Sequence, residues 1–203
     1  MPESVTTVPP ELLPLIPALL LGVGLAASSG LRTFLPLLML AFAAKFNFFG
    51  MALSENFAWL ASDLALYSLA AATVIEILGD KIPVVDHALD AVGTFSRPVA
   101  GALGAAAVLN ISDPATAAMV GIIVGAPLSF GVHAVKAGTR GASTVTTAGM
   151  GNPLLSLGED IMALFIGALS IALPILVPVI LLIAVYLLWK IYRGTRGLLR
   201  RTA

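Results

Sequence analysis

Cysteine is absent from the 203-residue chain, so neither a disulfide framework nor a thiolate metal site is open to it. Histidine is nearly absent: His87 and His133 are the two, and neither stands at ligand spacing from the other. Hydrogen-bonded structure is therefore the plainer role for His87. Charge is scarce as well. Asp, Glu, Lys and Arg make up 11% of the residues, where a soluble domain carries about a quarter. Hydrophobic residues make up 59%, which puts the chain in the membrane class. The first thirty-one residues contain no Lys or Arg. Without a basic n-region, and with Glu3 and Glu11 in its place, the N-terminus reads as retained rather than as a cleaved signal peptide.

The charges present are unevenly placed. The formal net charge is zero, yet Lys190, Arg193, Arg196, Arg200 and Arg201 crowd the last fourteen residues. The positive-inside rule makes this a cytoplasmic, juxtamembrane tail, a better fit than a nucleic-acid-binding arm. The expected organisation is a polar lead over 1–11, a single transmembrane domain over 12–189 and the basic tail over 190–203. The expected fold class is all-α: a polytopic transmembrane helical bundle of about five spans (four to six), with broken or proline-kinked helices.

From Leu12 to Ala44 the one charge is Arg32. As a single helix this stretch would be about 50 Å long, against a hydrocarbon core of about 30 Å. Ser28-Ser29-Gly30 and Pro36 mark the expected break, giving one broken helix or a span followed by a shorter insertion. Residues 45–63 mix aromatics with charges, as at headgroup depth. Further spans are expected over 64–79, over 83–109 with Pro98 in its middle, over 115–137 after an Asp113-Pro114 helix start, and over 161–189 with Pro174 and Pro178 inside. The Gly-, Thr- and Ser-rich stretch 138–158 reads as a loop. Gly121 and Gly125 form a GxxxG motif for close helix contact, within the chain or in a homo-oligomer.

Six charges fall between Glu76 and Arg97 in this apolar setting. A charge at the bilayer centre costs about 2.5–3.5 kcal/mol on insertion scales, so such groups sit at an interface, pair inside the bundle or line a wet path. On a helix Asp86, Asp90, Gly93 and Arg97 share one stripe. Two ionised carboxylates one turn apart repel, so one is protonated or a cation lies between them, and Gly93 leaves space beside them. Glu76 and Asp80 form a second acidic pair, while His133, Lys136 and Arg140 share a face of the next span. The plainer account is a structural ion-pair network; the sharper one is an ion or substrate pathway. Ser156 and Glu159 fit a capping box with Asp160 at the positive helix end, and Arg32 either snorkels or joins an internal site.

Gly30-Leu31-Arg32-Thr33-Phe34-Leu35-Pro36 is one recognisable motif. Glu76-Ile77-Leu78-Gly79-Asp80-Lys81-Ile82-Pro83, followed by Asp86, Asp90, Gly93-Thr94 and Arg97-Pro98, is another. Lys136-Ala137-Gly138-Thr139-Arg140 and Gly151-Asn152-Pro153 before Ser156 and Glu159-Asp160 complete the set. In these the chain resembles the bacterial membrane family catalogued as domain of unknown function 4126, from about Leu20 to the tail. The resemblance implies a small polytopic inner-membrane protein with no established activity.

Three functions fit. The first is a small transporter or channel for an ion or small molecule, its polar site drawn from Arg32, Glu76, Asp80, Lys81, Asp86, Asp90, Arg97, Lys136, Arg140, Asn152, Glu159 and Asp160. The second is a scaffold or assembly factor whose charges lock helices together. The third is an intramembrane enzyme in which Asp86 and Asp90 hold a metal against a lipid phosphate; the companion motifs of such enzymes are missing. No enzyme activity, cofactor or nucleic-acid partner is expected, and the metal question stays open.

Overall fold

The computed structural model describes residues 15–183, 185, 186 and 190, with the backbone alone at 83, 84 and 87. The polar lead, Trp189 at the end of the last expected span and the tail beyond Lys190 lie outside the described residues. These form α1 (Leu15–Leu31), α2 (Leu35–Lys45), 3-10 turns at Phe48–Gly50 and Glu55–Ala61, α3 (Asp63–Gly79), α4 (Pro83–Val108), α5 (Pro114–Thr147) and α6 (Asn152–Ala172). A last apolar helical piece runs over Pro174–Ile183. No strand occurs among the described residues.

The first apolar stretch is cut in two. Past Leu31 the chain turns at Arg32, Thr33 and Phe34, and Pro36 opens α2, where its missing N–H costs nothing. Leu21, Leu25, Leu40 and Ala43 share one core cluster with Ala107 and Val108 of α4, so α2 folds back along α1 as a hairpin. Their far ends are marked by the Lys45–Asp63 ion pair and by the Ser54 amide bonded to the Ala107 carbonyl at 3.0 Å. Phe46, Phe48, Phe49 and Trp59 are exposed at this end.

Among the described residues α5 and α6 are long and apolar enough to cross a membrane, and Glu55–Ala61 with α3, bent by 63°, makes a third candidate. Among the described residues length and apolarity alone therefore give two to three candidate crossings, fewer than the five expected. The reasons are the cut at Arg32 and the charges Asp86, Asp90 and Arg97 on α4.

The α4–α5 pair makes the largest helix contact. A Cβ on Gly125 would collide with the Gly101 carbonyl oxygen, and one on Gly121 with that of Ala102. The GxxxG surface is thus buried against α4 of the same chain and is not free for a second copy. Asp113 caps α5, accepting from the Thr116 hydroxyl at 2.5 Å and its amide at 2.7 Å. These bonds, the hydroxyl's first, hold the Asp113 carboxyl below the usual carboxylate range. The cap is at full strength above about pH 4 and is lost only as the pH falls through the lowered value.

Two boundaries differ from the sequence reading. The loop expected over 138–158 shrinks to 148–151, because α5 continues to Thr147. Thr139, Thr144, Thr146 and Thr147 satisfy their hydroxyls on carbonyls one turn back, and Arg140 ties this part of α5 to its neighbours. The span expected over 161–189 begins at Asn152 and breaks at Leu173, ahead of a 3-10 turn at Pro174–Leu176.

Gly125→Val is expected to lower stability by about 1–3 kcal/mol through overpacking, read by thermal unfolding in detergent. Gly131→Ala, where a Cβ meets open space, is expected to be neutral or to stabilise by up to about 1 kcal/mol.

Candidate functional site

The break between α1 and α2 leaves helix-end groups inside the bundle, and charged side chains answer both ends. Lys136 Nζ donates to the Leu31 carbonyl at 3.2 Å, placing a cation on the negative end of α1. Glu76 accepts from the Thr33 amide at 2.9 Å and the Phe34 amide at 3.2 Å. A carboxylate from α3 thus caps α2, whose own cap residue, Phe34, offers no side-chain acceptor.

Arg32, fully buried, radiates from this break. Its Nη1 bonds Asp80 Oδ2, its Nη2 reaches Ser156 Oγ at 2.8 Å, and its Nε lies 2.5 Å from Asp160 Oδ1. Asp80, at the end of α3, also takes Arg140 Nη2 at 3.1 Å and lies 3.7 Å from Lys136 Nζ. Lys81 reaches Ser156 Oγ at 3.1 Å and Asp160 Oδ2 at 3.4 Å. In a dry interior each ion depends on such geometry, since desolvation otherwise outweighs attraction.

Along α4 and α5 the pattern continues. Arg140 Nη1 bonds Asp86 Oδ1 and lies 3.7 Å from Asp90 Oδ2, while Nε and Nη2 hold Glu159 at 3.0 and 2.5 Å. The like-charged pair on α4 is therefore bridged by a guanidinium. Lys136 adds Glu159 at 3.2 Å and Asp90 at 3.7 Å. Arg97 folds back to Asp90 Oδ1 at 3.2 and 3.3 Å across Gly93, where a Cβ would sit 2.9 Å from its guanidinium carbon. Glu76 lies 3.9 Å from Arg97.

Arg97 Nη1 also contacts His133 Nδ1. Arginine has no acceptor, so Nδ1 accepts and the proton is assigned to Nε2, which faces Thr94 Oγ1 at 3.3 Å. His133 is thereby a neutral member of the network.

Between α4 and α5 a cavity of about 260 Å³ is lined by Asp86, Asp90, Arg140, Gly141, Thr144 and Asn152. No group of three or more metal-ligating side chains occurs among the described residues. A larger groove of about 510 Å³ by α2, α3 and α6 is lined by apolar residues such as Phe42, Phe49 and Ile171. It holds none of the charged groups.

This arrangement is carried by a sequence that the family model described as "Domain of unknown function (DUF4126)" matches over residues 19–194. The chain belongs to that family. No curated protein and no solved structure matches it. Within the matched residues, the stretch around Gly30-Leu31-Arg32 is the helix break, and the stretch from Glu76 to Pro83 supplies the cap Glu76 and the hub Asp80.

All twelve sequence-expected residues converge here, Asn152 through Thr144 and the cavity wall. One role is corrected. α6 begins at Asn152, so Ser156 lies inside the helix and caps nothing; it accepts from Arg32 and Lys81, and Glu159 and Asp160 point into the network. Ser156, Thr94 and Thr144 were missed as partners. Thr94 stands four residues after Asp90 on the same helical face, and Ser156 four before Asp160, so spacing was the available signal.

Asp80→Ala leaves Arg32 and Arg140 short of a buried counter-charge and is expected to cost about 3–5 kcal/mol in detergent unfolding. Lys45→Ala, breaking the exposed pair with Asp63, is expected to cost at most about 1 kcal/mol.

Proposed function

We propose that the protein is a small polytopic transporter or channel that carries a proton or monovalent cation past the network built on Arg32, Asp80, Asp86, Asp90 and Arg140. One observation carries this reading. The network joins five cations (Arg32, Lys81, Arg97, Lys136 and Arg140) to six carboxylates (Glu76, Asp80, Asp86, Asp90, Glu159 and Asp160). With each group in its ordinary ionised form and His133 neutral, one negative charge is left over. In a low-dielectric setting that charge calls for a proton or cation.

Depth supports the same reading. α2 rises about 16 Å over its eleven residues, half of a hydrocarbon core of about 30 Å, from Arg32 to the exposed aromatic end. The break thus falls near mid-membrane, where transporters place the ends of discontinuous helices. The outer faces beside the charges are apolar and exposed, as at Ile75, Leu78, Val92, Phe95, Leu157 and Ile161, so the network lies within the lipid-facing belt. In this reading α2 is a half-depth return beside α1, the α3–α4 turn meets it at the network, and the basic tail is cytoplasmic in a bacterial inner membrane.

Each of the eleven charges has an opposite partner within 4.0 Å, which favours a second reading, a structural lock in a scaffold. Exchanging partners as Asp86→Arg with Arg140→Asp separates the two: recovery of both stability and cellular function supports the lock. For lipid-phosphate chemistry, the Arg140 guanidinium lies where the bridging metal would be needed.

In vesicles holding the purified chain, Asp86→Asn with Asp90→Asn is expected to abolish proton, sodium or potassium flux while the protein stays folded. Unchanged flux, or none of the three ions moving with the native sequence, overturns the transport reading.

A further inference from the structure

We infer that the apolar groove between α2, α3 and α6 binds one glycerophospholipid with a primary-ammonium headgroup. An acyl chain lies in the groove, and the phosphate and ammonium meet Lys45 and Asp63. This site needs the membrane placement proposed above but not ion transport, and lipid binding is read without flux, so either can fail alone.

The groove has a direction. On α2 Leu38, Phe42 and Lys45 follow i, i+4, i+7 spacing, and on α3 Asp63, Tyr67 and Ala70 do the same. The uncharged members of both stripes line the groove, and the charged end of each joins the other in the Lys45–Asp63 ion pair. One end of the groove therefore meets charge, while the other runs along α2 towards the depth of the α1–α2 break. Phe46 and Trp59 are exposed at the charged end, as at headgroup depth. A phospholipid has the same order, charge at the interface and chain inward. The volume of about 510 Å³ is that of a small-molecule pocket. Tyr67 supplies the one hydroxyl among the lining side chains, a turn inward from Asp63, and Ala43, Ala70 and Ala168 keep the walls low. Phe42 and Phe48 stack with ring centroids 5.6 Å apart. Phe49 adds a third ring to the lining from a left-handed backbone, φ 55°, a region bulky residues rarely enter.

The headgroup class follows from what the ion pair has to spare. Lys45 gives Asp63 one of its three N–H donors, and among the described residues Asp63 accepts on Oδ1 alone. Two donors remain for a phosphate, and Oδ2 remains for an N–H. The Asp63 side chain is 74% exposed and that of Lys45 22%, so both are open to a headgroup. An ammonium that carries N–H bonds satisfies both partners at once. A trimethylammonium has no N–H to give Asp63. A glycerol headgroup brings the phosphate charge beside Asp63 with no cation of its own.

The test is native mass spectrometry of the full chain released from detergent, with dioleoyl phosphatidylethanolamine, phosphatidylcholine or phosphatidylglycerol added at equal concentrations. A first, saturable adduct is expected with the ethanolamine lipid, bound more tightly than either of the others. Lys45→Ala is expected to weaken it about tenfold, the scale of one hydrogen bond to a charged group. Asp63→Asn is expected to remove the preference over the glycerol lipid. The chain stays folded, because Ser62 rather than Asp63 caps α3. Ala168 is an exposed wall residue, so Ala168→Trp fills the groove from its open side and is expected to abolish the adduct. Equal binding of all three lipids, as in an unselective lipid shell, overturns the site. So does the absence of any adduct, or undiminished binding in both Lys45→Ala and Ala168→Trp. A change from dimer to monomer in Ala168→Trp with the adduct intact assigns the groove to a second copy and overturns the lipid.

Discussion

The unpaired backbone at the α1–α2 break, and the two charges that answer it, set the terms for the remaining helices. Helix-end amides and carbonyls cannot be left bare in an apolar layer. Glu76 on the amides and Lys136 on the Leu31 carbonyl satisfy them from two other helices. Each of those charges then needs its own counter-charge: Arg97 lies by Glu76, and Asp80, Asp90 and Glu159 lie around Lys136. The demand propagates until five segments are tied together, and Asp80 Oδ2, shared by Arg32 and Arg140, is where the strands of that web meet.

Small residues make such proximity possible. Gly121 and Gly125 bring α5 onto α4, Gly30 meets Ser129 and Val132 of α5, and Gly93 gives Arg97 room to lie along its own helix. Ser28 and Ser129, both buried, donate to the Ala163 and Arg97 carbonyls at 2.7 Å. Around the network many large apolar residues face outward while the charged ones face inward, the reverse of a soluble bundle.

Much of this was legible in the sequence because helical spacing is a local property. The stripe of Asp86, Asp90, Gly93 and Arg97 and the face of His133, Lys136 and Arg140 follow from 3.6 residues per turn, and the cap at Asp113 from its Pro114 neighbour. Pairing across helices was not legible. Nothing local tells that Glu76 caps a helix 42 residues earlier, or that Ser156 receives Arg32 from a break 124 residues away. Local propensity also misled: threonines and glycines after Ala137 suggested a loop, but back-bonded hydroxyls and the grip on Arg140 keep the helix running. The capping box at Ser156 failed because Asn152-Pro153 starts the helix one turn sooner.

Capping one segment with a residue from a later one has a consequence for how the protein is made. When α2 leaves the ribosome, the acceptor for its first amides does not yet exist, and Arg32 has no carboxylate until Asp80 follows. Lys136, Arg140, Glu159 and Asp160 come later still. The leading hairpin therefore cannot settle in lipid as a finished piece. It has to wait at the insertion machinery or at a wet surface while most of the chain is synthesised. Assembly of this small bundle is in that sense a single late event, and its charges act as a check that every segment has arrived.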